Sequence, residues 1–575
     1  MIKNTQRDIL TNALTFENKE CPFRLLILDS HGYLLVSSLF KQSTLYELGF
    51  TLFLDLNSQR QPIPAVPAVY LVSPTEETIK FISSDVGKEL YEQTYIIFTS
   101  PIPTQLLKTF ADSIPSHLAS KIISVRDTFM DFISPLPNLF TFNLKHSLYH
   151  LASSKEDQAA EQLISSVCNQ LFHVCSALNT VPIIKTTSGS VSATVASQLD
   201  SLLRQSISQF SSSPSRPLLI LVDRVSDLSS PLLHSWGYHS MLFDLADKNI
   251  VKLKEKSKIE FTNSQNQSKM IVLDDSDYLF ADYGHLDLLE VTNAVEQALD
   301  SYQKNQTLET QWKKRQNLKI RTLAKKKESI DAHTRLGHLV LDQLRSRHLD
   351  EFIELESQLI NLNGSVPGRH VRDRVKNLIG GLNEEGSRFG DVSDRVRLLL
   401  IYYICANVSL DEIADFIQIL KNDGADLSPL EFCRELKLFT SPEADTSPKT
   451  GFRNLAQKGL KMMTSMAVAN IPGLDRFKTL PIISVFNSLF SAPYSPSIVL
   501  TDPKLPKNAV PRSRTHDRVL FFVLGGISIT EYYSLLDYCK YKRIEGLVGS
   551  TDLWTSKEFM DDLSRLGSEK PKAAE

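Results

Sequence analysis

The sequence predicts an α/β protein with mostly parallel sheets and a large, mainly helical insertion. Three observations carry this. Short apolar runs alternate with helical stretches between residues 24 and 142, and again between Ser153 and Leu245. After residue 250 the texture becomes mostly helical. Strand texture then returns at Val519–Leu524, where a lone strand-turn-helix unit needs an earlier sheet to join. Short strands alternating with helices make a parallel sheet covered on both faces, and such strands read as continuous apolar runs.

The 575-residue length allows several domains. Lys and Arg number 63 against 66 Asp and Glu, a net charge of −3, so no overall basic surface argues for nucleic acid. The longest apolar run, Leu398 to Ala406, falls well short of the ~18 residues a membrane span needs. The opening MIKNTQRDILTNAL has no signal-peptide apolar core. Six cysteines with no CxxC pair suggest a reducing compartment and no disulfide framework or zinc site. The expectation is a soluble cytosolic protein that meets membranes through partners.

In chain order, the first strand candidates are Leu25–Leu28, Thr51–Leu56, Ala68–Ser73 and Tyr95–Thr99. Thr75 can cap a helix to Val86, with Ile79 and Ile82 on one face. The Pro-rich SPLPN at 134–138 reads as a boundary. Ser154 and Asp157 then open a helix with the stripe Ile164, Val167, Leu171, Val174 and Leu178, beside which Cys168 and Cys175 read as buried thiols. A strand at Val181–Lys185 and a helix ending near Ile207 lead to Leu218–Val222, a strand apolar enough to be buried on both faces. Pro231 is expected to open the next helix, towards Leu245. Leu336, Val340, Leu344, Phe352, Leu355 and Leu359 recur at helical spacing in the insertion, and Gly380-Gly381 breaks its later helices. Residues 441–451 and 492–514 read as irregular. Val519–Leu524, a helix from Ile529, Glu545–Gly549 and a helix over Ser556–Leu566 complete the second sheet.

Four places could carry chemistry. Asp223, Arg224 and Asp227 cluster at a strand's end, where open α/β sheets usually hold their sites. A guanidinium between two carboxylates neutralises both, which favours a buried ion-pair turn over catalysis. Gly525-Gly526 lacks the further glycines or lysine of a phosphate loop and reads as a tight turn. Asp274, Asp275 and Asp277 lack the Gly and Glu of a calcium loop and read as solvated. The run 311–327 holds Lys313, Lys314, Arg315, Lys319, Arg321, Lys325, Lys326 and Lys327 with no acid. It is either a solvated helix face or a dock for an acidic helix or anionic surface. With no HExxH, GxSxG or Walker lysine, the chain reads as a binding protein needing no metal or cofactor. The competing class is an α/β enzyme using a nucleotide or sugar phosphate at one of the two turns.

These residues resemble the SM proteins, cytosolic chaperones of SNARE-mediated membrane fusion. VDRVSDLSSPLLHSWGYHSMLFDL is similar to the family's DR-x-x-D-x-x-[TS]-P-L turn and following helix, with Ser230 where Thr is usual and Gly237 replacing the Thr before Tyr238. VLFFVLGGISITEYYSLLDY and LVGSTDLWTSKEFMDDLSRL are similar to its closing segments. RQPIPAVPAVYLVSPTEETI resembles the ER–Golgi (Sly) branch, except that Ala65 stands where Asp is usual. Endosomal, vacuolar and exocytic branches are the alternatives.

The resemblance implies a three-domain arch, with an α/β domain over 1–138 and a second α/β domain from 139–250 and 478–575. A mainly helical domain would span 251–477, with a SNARE-facing hairpin at about 300–360 carrying the basic run. It implies no enzymatic activity and no cofactor. It implies binding of a Golgi Qa-SNARE (syntaxin) by its N-terminal peptide and its SNARE helices, of the assembled SNARE bundle and an R-SNARE, and of tethering factors. A monomer peripheral to ER and Golgi membranes is expected. A peptide Phe would enter a pocket between two helices, lined by Leu107, Phe110 and Ala111 on one and Ile122 and Val125 on the next. Phe110 is larger than usual there, which implies a shallower pocket.

Overall fold

The computed structural model describes residues 2–16, 23–153, 157–210, 216–263, 265–310, 317–362, 364–383, 386–440, 480–491, 496–506 and 516–569. Of residues 305–310, 317–323 and 439–440 it describes only the backbone. The first sheet is all parallel, with strands β1 (Arg24–Leu28), β2 (Phe50–Asp55), β3 (Ala68–Val72), β4 (Thr94–Phe98) and β5 (Ile122–Asp127) in the order β2-β1-β3-β4-β5. The inner strands β1, β3 and β4 are buried along their whole length, as their unbroken apolar runs require. Thr75 caps the Glu76–Gly87 helix, its side chain accepting from Thr78 N–H.

The second sheet draws on distant parts of the chain. From the front come β6 (Ile133–Leu136), β7 (Leu139–Thr141), β8 (Ile183–Thr187) and β9 (Leu218–Asp223). Before its later strands comes a separate antiparallel sheet, β10 (Lys252–Lys254), β11 (Lys258–Thr262) and β12 (Ser268–Val272). The second sheet then resumes with β13 (Ile498–Thr501), β14 (Arg518–Leu524) and β15 (Glu545–Ser550). Its order is β13-β8-β9-β14-β15-β7-β6. The β9 strand pairs in parallel with β14, Leu218 opposite Val519 and Asp223 opposite Leu524.

Four elements differ from the sequence reading. The SPLPN boundary holds β6, an edge strand of the second sheet that lies inside the span assigned to the first domain. Its edge position tolerates Pro135, which has no N–H to donate. The stretch read as mostly helical opens with β10–β12. The irregular stretch after 492 contains β13, antiparallel to β8. Pro231 opens only a single 3₁₀ turn, Ser230–Leu232, and the helix begins at Tyr238. A tertiary contact accounts for that delay, the His234 N–H donating to the Glu356 carboxylate at 2.7 Å, together with a local one, the Gly237 N–H donating to Ser235 Oγ. Ser154 and the 441–451 loop lie outside the described residues.

The Ile2–Leu14 helix packs across both sheets, with Ile2 in the core of the second and Leu10 and Leu14 in that of the first. The Leu288–Thr310 and Asn317–Arg347 helices pack together, and Val291, Val295, Ile330, Leu336 and Val340 bury their base. Cys168 and Cys175 are buried free thiols whose pKa values burial pushes up to about 12.

Candidate functional site

The five residues of the expected peptide pocket lie on one helix and one strand, not between two helices. Leu107, Phe110 and Ala111 lie on the Thr104–Ser113 helix, whereas Ile122 and Val125 lie on β5, the free edge of the first sheet. Local β-branched character (Ile122, Ile123, Val125) was the signal for a strand.

A register shift matters here. Thr94 pairs with Ile122, but Tyr95 pairs with Ser124 and Ile96 with Val125, leaving Ile123 as the extra residue. In a regular strand, residues three apart face opposite ways. The shift returns Ile122 and Val125 to one face, which is also the face of Ile96 and Phe110. Phe110 is only 3% exposed, so it is the floor of this surface rather than its opening. Leu107 and Val125 remain 40% and 41% exposed, and Ala111 is exposed one turn along from Leu107. The result is a shallow apolar strip beside an edge strand.

Of the basic run, Lys313, Lys314 and Arg315 lie outside the described residues, and Lys319 and Arg321 are described by backbone alone, within the Asn317–Arg347 helix. Lys325, Lys326 and Lys327 are exposed, with Lys326 Nζ 5.8 Å from the centroid of the Tyr278 ring.

The turn after β9 is buried, and its pairing differs from the sequence reading. Arg224 does not sit between Asp223 and Asp227. Its Nη1 donates to Glu531 Oε1 at 2.6 Å, while Nη2 lies 3.4 Å from Asp227 Oδ2 and donates to the Asp227 carbonyl. Glu531 also closes the capping box of the Ile529–Lys542 helix with Ser528. Asp227 Oδ1 accepts from the Ser229 and Ser230 N–H groups, which closes the turn. Gly525 and Gly526 both have positive φ, 106° and 103°, and a Cβ on them would lie 2.7 Å from Arg224 Cβ and 2.1 Å from Trp554 Cε2. The pair is thus a close-packed turn, required by the side chains against it.

Asp223 faces away from Arg224. Its two oxygens accept from the Val191 and Ser192 N–H groups at 3.0 and 2.9 Å, at the N-terminus of the Val191–Gln205 helix. Burial pushes its carboxyl up to about 6 despite those donors. An ordinary Asp titrates near ~4 in the unfolded chain, so the folded state holds this proton more tightly. The resulting stabilisation is fully present below about 4 and is lost as pH rises to about 6. Asp223→Asn should flatten that part of the stability profile, measured by chemical unfolding at stepped pH. An unchanged slope would show that Asp223 does not titrate there.

A second buried network ties this region to the insertion. His234 Nδ1 lies 2.7 Å from Glu356 Oε1, and Nε2 lies 3.2 Å from Asp394 Oδ1. Arg347 donates from Nε to Asp394 Oδ2 at 2.9 Å and from Nη1 to Asp244 Oδ2 at 2.5 Å. Burial and Arg397 oppose the His234 proton, but Glu356 and Asp394 outweigh them and raise its pKa. Burial works against the Asp394 anion, yet hydrogen bonds from His234 and Arg347 hold its pKa well below the usual range. His234, Asp244 and Asp394 bring ligand-type atoms within 4.8 Å of one another. Arg347 and Lys248 already neutralise those carboxylates, so the cluster fits an ion-pair lock rather than a metal centre. Its members are up to 160 residues apart, and no local pattern announces them. The expectation for Asp274 and Asp277 also fails: Asp274 is buried against Lys3, and Asp277 caps the Tyr278–Tyr283 helix and meets His333 Nε2 at 3.1 Å.

The model of the Sec1 family matches residues 24–562. The chain belongs to the Sec1 family. This is the SM family that the sequence motifs resemble, and its members regulate SNAREs without catalysis. The chain is 28% identical to mouse Sec1 family domain-containing protein 1, over 95% of this chain and 94% of that protein. It is 26% identical to Saccharomyces cerevisiae protein SLY1, over 96% and 92%. The solved structure of Sly1p in complex with an N-terminal peptide of Sed5p has the same fold, with a TM-score of 0.80, 24% identity and 99% of each chain covered. Among the described residues of this family member, no helix is long and apolar enough to cross a membrane.

Proposed function

We propose that this chain is a non-catalytic chaperone of SNARE complex assembly in vesicle docking and fusion, acting in ER-to-Golgi and intra-Golgi transport. It binds a Golgi Qa-SNARE (syntaxin) through that protein's N-terminal peptide. It then meets the SNARE helices, an R-SNARE and the assembled bundle along the hairpin at about 300–360, and works with tethering factors. It is cytoplasmic and held at ER and Golgi membranes through these partners. The three domains implied by the family motifs (1–138, 139–250 with 478–575, and 251–477) form the scaffold, except that β6 passes from the first to the second.

One observation carries the peptide site: the register shift that turns Ile122 and Val125 to the face of Leu107, Phe110 and Ala111 while leaving Leu107 and Val125 exposed. The Sly1p complex with a Sed5p N-terminal peptide supports the ligand class. The exposed Lys325, Lys326 and Lys327, with no acid in the run, suit an acidic SNARE surface.

The test is calorimetric titration of a Golgi-syntaxin N-terminal peptide. Burying one Phe anchor contributes about 1.5–3 kcal/mol, so Val125→Lys should weaken binding roughly tenfold or more. Val125 is exposed on an edge strand, so the variant should fold normally. Equal affinity for wild type and variant would remove these residues from the site.

A further inference from the structure

The β10–β12 sheet at the head of the insertion has no part in the binding reading, yet it is tied to the rest of the chain by two sets of contacts, both at the end where Lys258 pairs with Val272. In the first, the β10–β11 hairpin turns through Glu255 and Lys256, both left-handed with φ 53° and 58°. Such turns favour Asn-Gly, because a Cβ is disfavoured in that conformation. Here each side chain reaches a different part of the molecule. Glu255 Oε2 accepts from Ser37 Oγ at 2.8 Å, on the Ser30–Leu39 helix that packs against the first sheet. Lys256 Nζ donates to Glu558 Oε1 at 2.6 Å, on the Ser556–Gly567 helix. Lys258 Nζ, 2.6 Å from Glu255 Oε2, holds that carboxylate in place.

In the second, just beyond β12, Asp274 and Asp275 accept from the buried Lys3 Nζ at 2.8 and 3.1 Å. Lys3 also donates to the Pro135 carbonyl on β6, and its helix carries Leu10 and Leu14 into the first sheet's core. A disfavoured turn conformation is thus kept where its two side chains bridge separate units.

We propose that the β10–β12 sheet is a clasp that sets the angle of the first sheet to the rest of the chain, with Ser37–Glu255 as its releasable contact. The Lys3 contact is buried and multiply bonded. The hydrogen bond between Ser37 and Glu255 is a single hydroxyl–carboxylate bond at a half-buried position. This proposal is independent of the binding function.

The test is energy transfer between fluorophores on Ser58→Cys and Lys325→Cys, both exposed, in a Cys21→Ser background of the full chain. E255N/K256G supplies residues suited to the turn and removes both bridges, so the hairpin should persist while the transfer distribution shifts or broadens. Ser37→Asp places a second carboxylate against Glu255 and should produce the same change. Adding Glu255→Lys to Ser37→Asp recreates an attractive pair and should restore the wild-type distribution. Unchanged transfer in both E255N/K256G and Ser37→Asp would overturn the clasp. Failure of the added Glu255→Lys to restore the distribution would overturn Ser37–Glu255 as its release point.

Discussion

Arg224→Met should cost about 3–5 kcal/mol of stability, the usual result of removing one member of a buried ion pair. The Arg224 side chain is fully buried, and the change strands Glu531 and Asp227 without their cation. Burial already holds the Glu531 pKa above its ordinary value despite Arg224, so an unpaired anion there is costly. The triple variant Arg224→Met, Asp227→Asn, Glu531→Gln should recover much of the loss, because neutral groups carry a smaller desolvation penalty. Unfolding by guanidinium, followed by circular dichroism, reads both. A single variant as stable as wild type would show that the pairing at this turn does not hold the fold. The motif that first looks like a catalytic candidate therefore serves as a joint: it links the end of β9 to the first turn of the Ile529–Lys542 helix, 307 residues away.

Arg347→Ala should loosen the insertion's grip on the second sheet by roughly 3 kcal/mol, since Asp394 loses its bidentate guanidinium while Asp244 keeps only Arg397 Nη1 at 3.5 Å. Hydrogen exchange should rise most in the Val392–Cys405 helix, whose capping box contains Asp394. The same network carries a pH dependence. His234 has a raised pKa, so its contribution is fully present below the unfolded value of ~6.5 and is lost as pH rises through the higher folded value. Asp394 has a lowered pKa, so its contribution is present above the unfolded value of ~4 and is lost as pH falls through the lower folded value. The lock is therefore tightest between about pH 4 and 6.5. His234→Gln should flatten the loss on the alkaline side. Protection of the Val392–Cys405 helix that is independent of pH in wild type would contradict this assignment.

Much of the fold was legible in the residues themselves. Leu218–Val222 and Val519–Leu524 are continuous apolar runs, and they are neighbouring inner strands of one sheet. Thr75, Ser528 and Thr555 sit where caps are needed, and each caps its helix. The family motifs at 223–245 and 518–566 placed the same elements in the same order. The misread elements are those where tertiary contacts outweigh local preference. SPLPN forms an edge strand because β7 offers a partner. The helix after Pro231 waits until Tyr238 because Glu356 captures the His234 N–H.

The candidate site shows the same division. Its five residues were named only through the family resemblance. The register shift at Ile123 could not be read from the sequence, because it depends on how β5 aligns with β4. Nor could the Glu531 partner of Arg224 or the Glu356 and Asp394 partners of His234, which lie 307, 122 and 160 residues away in sequence. Periodicity, turns and caps are set within a few residues of chain, so the sequence alone determined the inner strands and the main capped helices. Which buried charge meets which depends on the final packing geometry, and that only the tertiary structure decided.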